Sequence, residues 1–198
     1  MRGEGLRALP AGSDQTVKEL VRMRLQDCAA SLGLHLDRDA GITSIETDSR
    51  KVGPGCLFIA MKGAKTDGHE HIPGAIERGA AAILVEDAAF LQGQESVPHL
   101  HCPTIREDLW KLASAFYGNP TRDLTVIGIT GTNGKTSTTY YLKGILDAAG
   151  MPAGLIGTIQ YIVGEHVEKA VNTTPDALEL QRLFARMRDA GLQSVVME

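Results

Sequence analysis

A chain of 198 residues, 43% hydrophobic and 22% charged, is long enough to bury a core as one large domain or two small ones. Its formal net charge is −4 with basic residues scattered among acids, which argues against a general nucleic-acid or membrane-surface role, because phosphate backbones and anionic bilayers are bound by basic faces. No apolar run approaches the about 20 residues that span a bilayer, the N-terminal MRGEGLRALPAGSDQ lacks the apolar centre of a signal peptide, and Cys28, Cys56 and Cys102 have no metal-like spacing. A reduced, cytoplasmic protein is expected.

Residues 14–32 carry Val17, Leu20, Val21, Met23, Leu25 and Cys28 at imperfect helical spacing. From Ile42 the pattern predicts a strand ITSIETDS, a turn RKVGPG marked by Gly53, Pro54 and Gly55, and a strand CLFIAMKG. HIPGAIERGA places Ile72, Ala75 and Ile76 on one helical face before Gly79, and AAAILVE follows as a buried strand. EDLWKLASAFYG gives a further helix, with Leu109, Leu112, Ala113 and Phe116 inward and Gly118 as its stop. The turn formers of NPTRDL then mark a boundary, with one domain over residues 1–120 and a second from 121 to 198. On local grounds TDSRKVGPG is a solvated turn, with Asp48 and Arg50 as a surface ion pair of little energetic value. Lys65 reads as a solvated lysine, and His69 and His71 are too few to argue for a metal.

The second region begins TVIGITGTNGKTSTTYYLKGILDAAG. Val126 to Ile129 form a short, β-branched, glycine-bounded run that reads as a buried strand of a parallel sheet. Beyond Lys135, Leu142, Ile145, Leu146 and Ala149 recur at helical spacing, with Gly150 closing the helix and Pro152 just after it. The result is strand, glycine loop, helix. At such a helix start the first N–H groups lack partners and the dipole is positive, so an anion is favoured. Gly131 and Gly134 let a phosphate lie against the amides, Lys135 adds charge for the outer phosphates, and the Thr136 hydroxyl suits a phosphate-bound Mg²⁺. A nucleoside triphosphate is the expected occupant. The alternative is a plain glycine-rich turn with an exposed lysine, and the pattern departs from G-x-x-x-x-G-K-[ST] in having Ile129 where the first glycine belongs.

The remaining pattern predicts a strand over 153–163, a turn at Gly164, a short strand over 167–171, a helix over 175–190 and a strand over 193–197. Thr174 is the expected cap of that helix and Pro175 its first residue, with Leu180, Leu183, Phe184 and Met187 inward. Asn172 and Thr173 are spare polar residues at a strand's carboxyl end. Alternating strands and helices imply a parallel sheet whose ligands sit beyond the carboxyl ends of its strands. The fold class is α/β: an N-terminal α/β domain followed by a parallel-sheet P-loop domain. Two or three strands are thin for such a sheet and the chain stops at SVVME directly after a strand, so an incomplete ATPase domain is expected. Glu198 stands where ATP-using enzymes place an acid for Mg²⁺, on a strand beside the P-loop strand.

GITGTNGKTS resembles the ATP loop of the Mur ligases, ATP-dependent amide ligases that build the peptide stem of bacterial peptidoglycan, with Ser137 in place of the family's second threonine. GLIGTIQY followed by NTTPDALELQ is similar to the branch of that family that adds the third amino acid, and residues 42–86 resemble the UDP-binding first domain shared by that branch and the one adding D-Ala-D-Ala. The resemblance implies an ATP site at Gly131, Thr132, Asn133, Gly134, Lys135, Thr136 and Ser137, with Lys135 catalytic and Mg²⁺ at Thr136 and Glu198. It implies that Thr47 and Ser49 contact the UDP-sugar, that Ala64, Lys65 and Thr66 line the uracil and diphosphate region, and that Asn172, Thr173 and Thr174 bind the muramoyl peptide. The implied partners are UDP-MurNAc-L-Ala-D-Glu, ATP and a free amino acid, meso-diaminopimelate or L-lysine, with no nucleic acid, no membrane and a monomeric enzyme. The implied chemistry passes through an acyl phosphate. This chain alone is expected to be inactive, lacking the family's carbamylated lysine and its third domain. A folylpolyglutamate-type ligase shares the glycine loop without needing TDSRKVGPG or NTTPDALELQ, and a non-catalytic nucleotide-binding module is the reading if 198 residues is the natural length.

Overall fold

The computed structural model describes residues 22–36, 38–63, 66–94 and 96–198. Ala64, Lys65 and residues 14–21 of the helix expected over 14–32 lie outside them. Within them, β1 (Met23–Arg24) pairs antiparallel with β2 (Gly41–Ile42), and the helix α1 between them runs only over Leu25–Ser31. The Asp39 carboxylate fixes that start by accepting from Gln26 N–H at 3.1 Å and Arg24 Nε at 2.8 Å.

Four strands follow in one parallel sheet: β3 (Ser44–Glu46), β4 (Cys56–Ala60), β5 (Ala82–Val85) and β6 (His99–His101), in that spatial order. Helix α2 (Ile72–Glu77) lies between β4 and β5, and α3 (Ile105–Phe116) follows β6. The unbroken apolar runs of β4 and β5 are buried along their whole length, as a parallel sheet covered on both faces requires. Leu57, Ile59 and Leu84 face the core shared with α1 and α3, whereas Phe58, Ala60, Ile83 and Val85 face the one shared with α2. β3 stops at Glu46, short of the expected Ser49, because the Asp48 carboxylate accepts from Arg50 N–H and closes a 3₁₀ turn over Ser49–Lys51.

A 3₁₀ turn at Pro120–Arg122 leads into the second sheet. Its elements are β7 (Thr125–Gly128), α4 (Lys135–Ala148), β8 (Ala153–Ile156), β9 (Gln160–Val163), β10 (His166–Lys169), α5 (Ala177–Asp189) and β11 (Ser194–Met197). The spatial order is β10-β9-β8-β11-β7, with β8, β11 and β7 parallel and β9 and β10 antiparallel. The single strand expected over 153–163 is thus two, reversed at Gly157, whose N–H bonds Gln160 O, and the sheet has five strands where two or three were expected.

Two further expectations fail for physical reasons. Thr174 does not cap α5. Asp176 does, its carboxylate accepting from Glu179 N–H at 2.8 Å, where it also complements the positive helix end. Nor is β7 buried. It is an edge strand whose sole neighbour among the described residues is β11, and Val126 is 41% exposed.

The two regions meet through α3 and α5, with Leu178 and Ala185 of α5 joining the core of the first sheet. Cys28, Cys56 and Cys102 are buried free thiols, and burial pushes Cys28 up to about 12. His69 is a packing residue: its Nδ1 lies 2.6 Å from Asp67 Oδ1, its Nε2 accepts from Asp87 N–H, and its ring stacks on Phe90. No helix among the described residues is long and apolar enough to cross a membrane.

Candidate nucleotide and substrate sites

β7, β11 and β8 are adjacent and parallel, so their carboxyl ends open on the same side of the sheet. The glycine loop leaves β7, Glu198 follows β11, and Gly157 and Thr158 follow β8. Strand order alone therefore puts Glu198 between the loop and Thr158. All three border one cavity of about 340 Å³, lined by Thr132, Asn133, Gly134, Lys135, Thr136, Ser137, Thr158, Thr173 and Glu198.

The loop's shape follows from its glycines. Gly131 and Gly134 have φ of 143° and 77°, and Gly134 is the residue that starts α4, with no side chain capping that helix. The first-turn amides of α4 are thereby left to a ligand, and the positive helix end favours an anion. Lys135 Nζ reaches back to Gly131 O at 2.7 Å, which keeps the ammonium over the loop.

Glu198 is held from two sides. Thr158 N–H donates to its Oε1 at 3.0 Å and the Thr158 hydroxyl to Oε2 at 3.1 Å. Burial alone would push this carboxyl up, but the bonds from Thr158 and Thr136 and the charge of Lys135 outweigh it, and the group stays below the usual glutamate range. Gly157 makes the approach possible, since a Cβ there would lie 2.7 Å from Glu198 Oε1. An ionised carboxylate, a threonine hydroxyl and an uncapped helix end with a lysine form a donor set suited to a triphosphate with Mg²⁺.

Asn172, Thr173 and Thr174 divide their roles. The Thr173 hydroxyl lies 3.1 Å from that of Thr158 and borders the cavity. Thr174 instead donates to Glu198 O at 3.0 Å, and Asn172 is tied through its backbone to Tyr161 Oη. Sequence reasoning missed Thr158 and Gly157. Their signal was a Gly-Thr pair inside a run taken as one continuous strand.

A second cavity, of about 600 Å³, is lined by Thr47, Asp48, Ser49, Arg50, Lys62, Thr66 and Arg106 among others, so Thr47, Ser49 and Thr66 come together at the carboxyl ends of β3 and β4. Asp48 forks onto Arg50 at 2.9 and 2.7 Å, and that guanidinium and the Arg50 amide hold its carboxyl at about 2.

Residues 41–117 match the family model described as "Mur ligase family, catalytic domain", and residues 129–198 the one described as "Mur ligase middle domain". The chain belongs to the Mur ligase family. It is 45% identical over 159 residues to a UDP-N-acetylmuramyl-tripeptide synthetase of Roseiflexus sp., covering 79% of this chain and 31% of that protein. It is 43% identical over 179 residues to a UDP-N-acetylmuramoyl-L-alanyl-D-glutamate--2,6-diaminopimelate ligase of Geobacillus thermodenitrificans, covering 89% and 36%. The chain thus spans about a third of the length of these curated relatives.

Among solved structures it is similar to a UDP-N-acetylmuramoyl-L-alanyl-D-glutamate--2,6-diaminopimelate ligase, with TM-score 0.63 and 22% identity over 79% of this chain and 31% of that one. It also resembles MurF ligase of Thermotoga maritima in complex with ADP, with TM-score 0.52 and 27% identity over 77% and 31%. The first likeness concerns the fold, and both agree with the α/β architecture described above.

Proposed function

We propose that this chain supplies the uridine-binding and ATP-binding parts of an ATP-dependent amide ligase that joins an amino acid to the D-glutamyl carboxylate of UDP-MurNAc-L-Ala-D-Glu. The observation that carries this reading is the cavity in which the glycine loop, Thr158, Thr173 and Glu198 converge. A glycine-rich turn without a ligand would not need Gly157 kept small beneath a carboxylate held ionised by two threonines. The relatives' names favour 2,6-diaminopimelate as the incoming amino acid.

A carboxylate is a poor acyl donor. The γ-phosphoryl group of ATP passes to the D-glutamyl carboxylate and ADP leaves; the amine then attacks the acyl phosphate and expels phosphate. In this chain the α4 amides and Lys135 bind the phosphates and stabilise the charge that spreads over the transferring group. Thr136 and Glu198 would hold Mg²⁺, which supplies charge neutralisation between the phosphates. Thr173 and Thr158 orient the acceptor side, with Asn172 and Thr174 shaping the loop that carries Thr173. Residues 1–120 form the UDP-substrate domain, with Thr47, Ser49 and Thr66 at the uridine diphosphate together with Ala64 and Lys65, and residues 121–198 open the ATP-binding domain. A cytoplasmic, monomeric enzyme acting on soluble substrates fits this reading.

The test is phosphate release by the intact natural protein with ATP, Mg²⁺, UDP-MurNAc-L-Ala-D-Glu and each amino acid in turn. Release that requires the UDP-dipeptide and one amino acid together supports the proposal. Release that needs a folate substrate instead, or nucleotide binding with no release under any combination, overturns it.

A further inference from the structure

Arg182 sits on α5, the helix that follows the Asn172–Thr174 loop, and its guanidinium reaches across to the first region. Nη2 donates to Glu46 Oε1 at 2.9 Å, Nε donates to Tyr117 Oη at 3.2 Å, and Nη1 lies 3.3 Å from Glu179 Oε2 on its own helix. Glu46 is the last residue of β3 and immediately precedes Thr47, Asp48 and Ser49, which line the first-region cavity. Tyr117 ends α3. One side chain therefore bonds the base of the first region's binding loop to the helix whose leading loop borders the second region's cavity. The side chains of Arg182 and Glu46 are only 29% and 13% exposed, so the pair is screened far less than a surface bridge.

What surrounds it makes this bond decisive. Between the regions lies a cavity of about 430 Å³ bordered by Ser44, Glu46, Phe116, Tyr117, Arg182 and Asp189. The contact is thus a partial one, apolar at Leu178 and Ala185 and open beside them. Apolar packing is non-directional and would tolerate a rocking of α5 on α3, whereas a planar guanidinium with three partners fixes an angle. Arg188 adds a second tie at the far end of α5, donating to Tyr117 O and Gly118 O at 3.1 and 3.3 Å. Glu46, Tyr117 and Glu179 are the groups that face Arg182 from the three elements around it.

We propose that Arg182 is a positioning residue that sets the angle between the two regions, and so brings a carboxylate anchored by its uridine end in the first region to the phosphate loop of the second. This rests on the ligase reading for its kinetic consequence but not for its structural one. Replacing Arg182 with Met removes the fork and keeps the stem. The intact natural protein carrying Arg182→Met should bind ATP and UDP-MurNAc-L-Ala-D-Glu as the parent does and lose about 10–100-fold in kcat, the penalty of misplacing reactants whose binding is intact. Arg182→Lys keeps one charged bond to Glu46 without the fork and should recover part of that loss. Glu46→Gln, which leaves α5 untouched, should fall on the same side as Arg182→Met and guards against a folding defect in the latter.

The second readout is the distance between spin labels at Glu77→Cys and Ala148→Cys, both exposed sites, with the native thiols buried. The distance distribution should be narrow in the parent and broaden in Arg182→Met. An unchanged distribution, or a broadened one with unchanged kcat, overturns the proposal. A parent protein with no ligase turnover sinks the functional reading alone, and the distances then judge the clamp by themselves.

Discussion

The two sheets are built from similar apolar runs and reach different ends. In the first, β4 and β5 are buried throughout and helices cover both faces. In the second, α4 buries only Thr139, while Tyr141 and Ile145 on one helical face are 74% and 64% exposed and Val126 of the edge strand is 41% exposed. Apolar periodicity reports what a segment is able to bury, not whether a partner is there to bury it. The first region buries its sheet on both faces, with Leu178 and Ala185 of α5 completing one of its two cores. The second packs its core on the α5 side of β8, β9 and β11 and leaves the α4 side open, and its glycine loop meets the carboxyl ends of three strands at one end of the sheet.

The largest test strikes the covered sheet. Phe58 is fully buried against α2, and Phe58→Ala removes a ring that the surroundings cannot refill, so unfolding in urea should show a loss of about 3–5 kcal/mol at an unchanged slope. A loss within about 0.5 kcal/mol, the size of an ordinary surface change, would mean that the first region is not the tightly packed half.

Next comes the phosphate loop. Lys135→Ala leaves α4 its helix propensity and removes one charge, and charge-assisted bonds of this kind are worth about 1.5–3 kcal/mol. Calorimetry should show nucleotide affinity falling by roughly 10–150-fold, with the unfolding midpoint unmoved. Equal affinity in parent and variant would take the loop out of nucleotide binding.

How much of this was legible beforehand depended on whether a residue's role is local. The loop was readable because Gly131, Gly134, Lys135 and Thr136 act within six consecutive residues, and the helices α3 and α5 because Leu109, Leu112, Phe116, Leu183 and Met187 keep helical spacing. The turn at Gly157 was hidden because the apolar residues on both sides of it read as one run. Asp176 displaced Thr174 as the cap because Glu198, 24 residues on and just past β11, claimed the Thr174 hydroxyl for its carbonyl O. Non-local partners such as Thr158 with Glu198 and Arg182 with Glu46 carry no periodic signal at all.

Thr158→Ala sharpens the comparison within the site. It deletes one hydroxyl bond to Glu198 and keeps the backbone one, worth about 0.5–1.5 kcal/mol. The parent's Glu198 carboxyl sits below its ordinary value, so its contribution is complete above the unfolded pKa of about 4.3 and is lost as pH falls through the folded value. Mg²⁺-dependent nucleotide binding followed from pH 7 downward should therefore fail at a higher pH in the variant. Identical acid limbs would show that Thr158 does not govern this carboxylate.

The smallest effect is expected where the sequence pattern looked strongest. Ile145 lies on the face of α4 that periodicity marks as buried, yet the side chain is 64% exposed and sits one turn from the still more exposed Tyr141. Ile145→Gln exchanges a β-branched residue for a better helix former and removes little buried area, so the two contributions offset and stability should stay within about 0.5 kcal/mol of the parent. The same urea titration that registers Phe58→Ala measures it. In this 198-residue chain, a loss approaching the 2–5 kcal/mol typical of a buried isoleucine would mean that the α4 face is covered after all, and the contrast between the two sheets would fall with it.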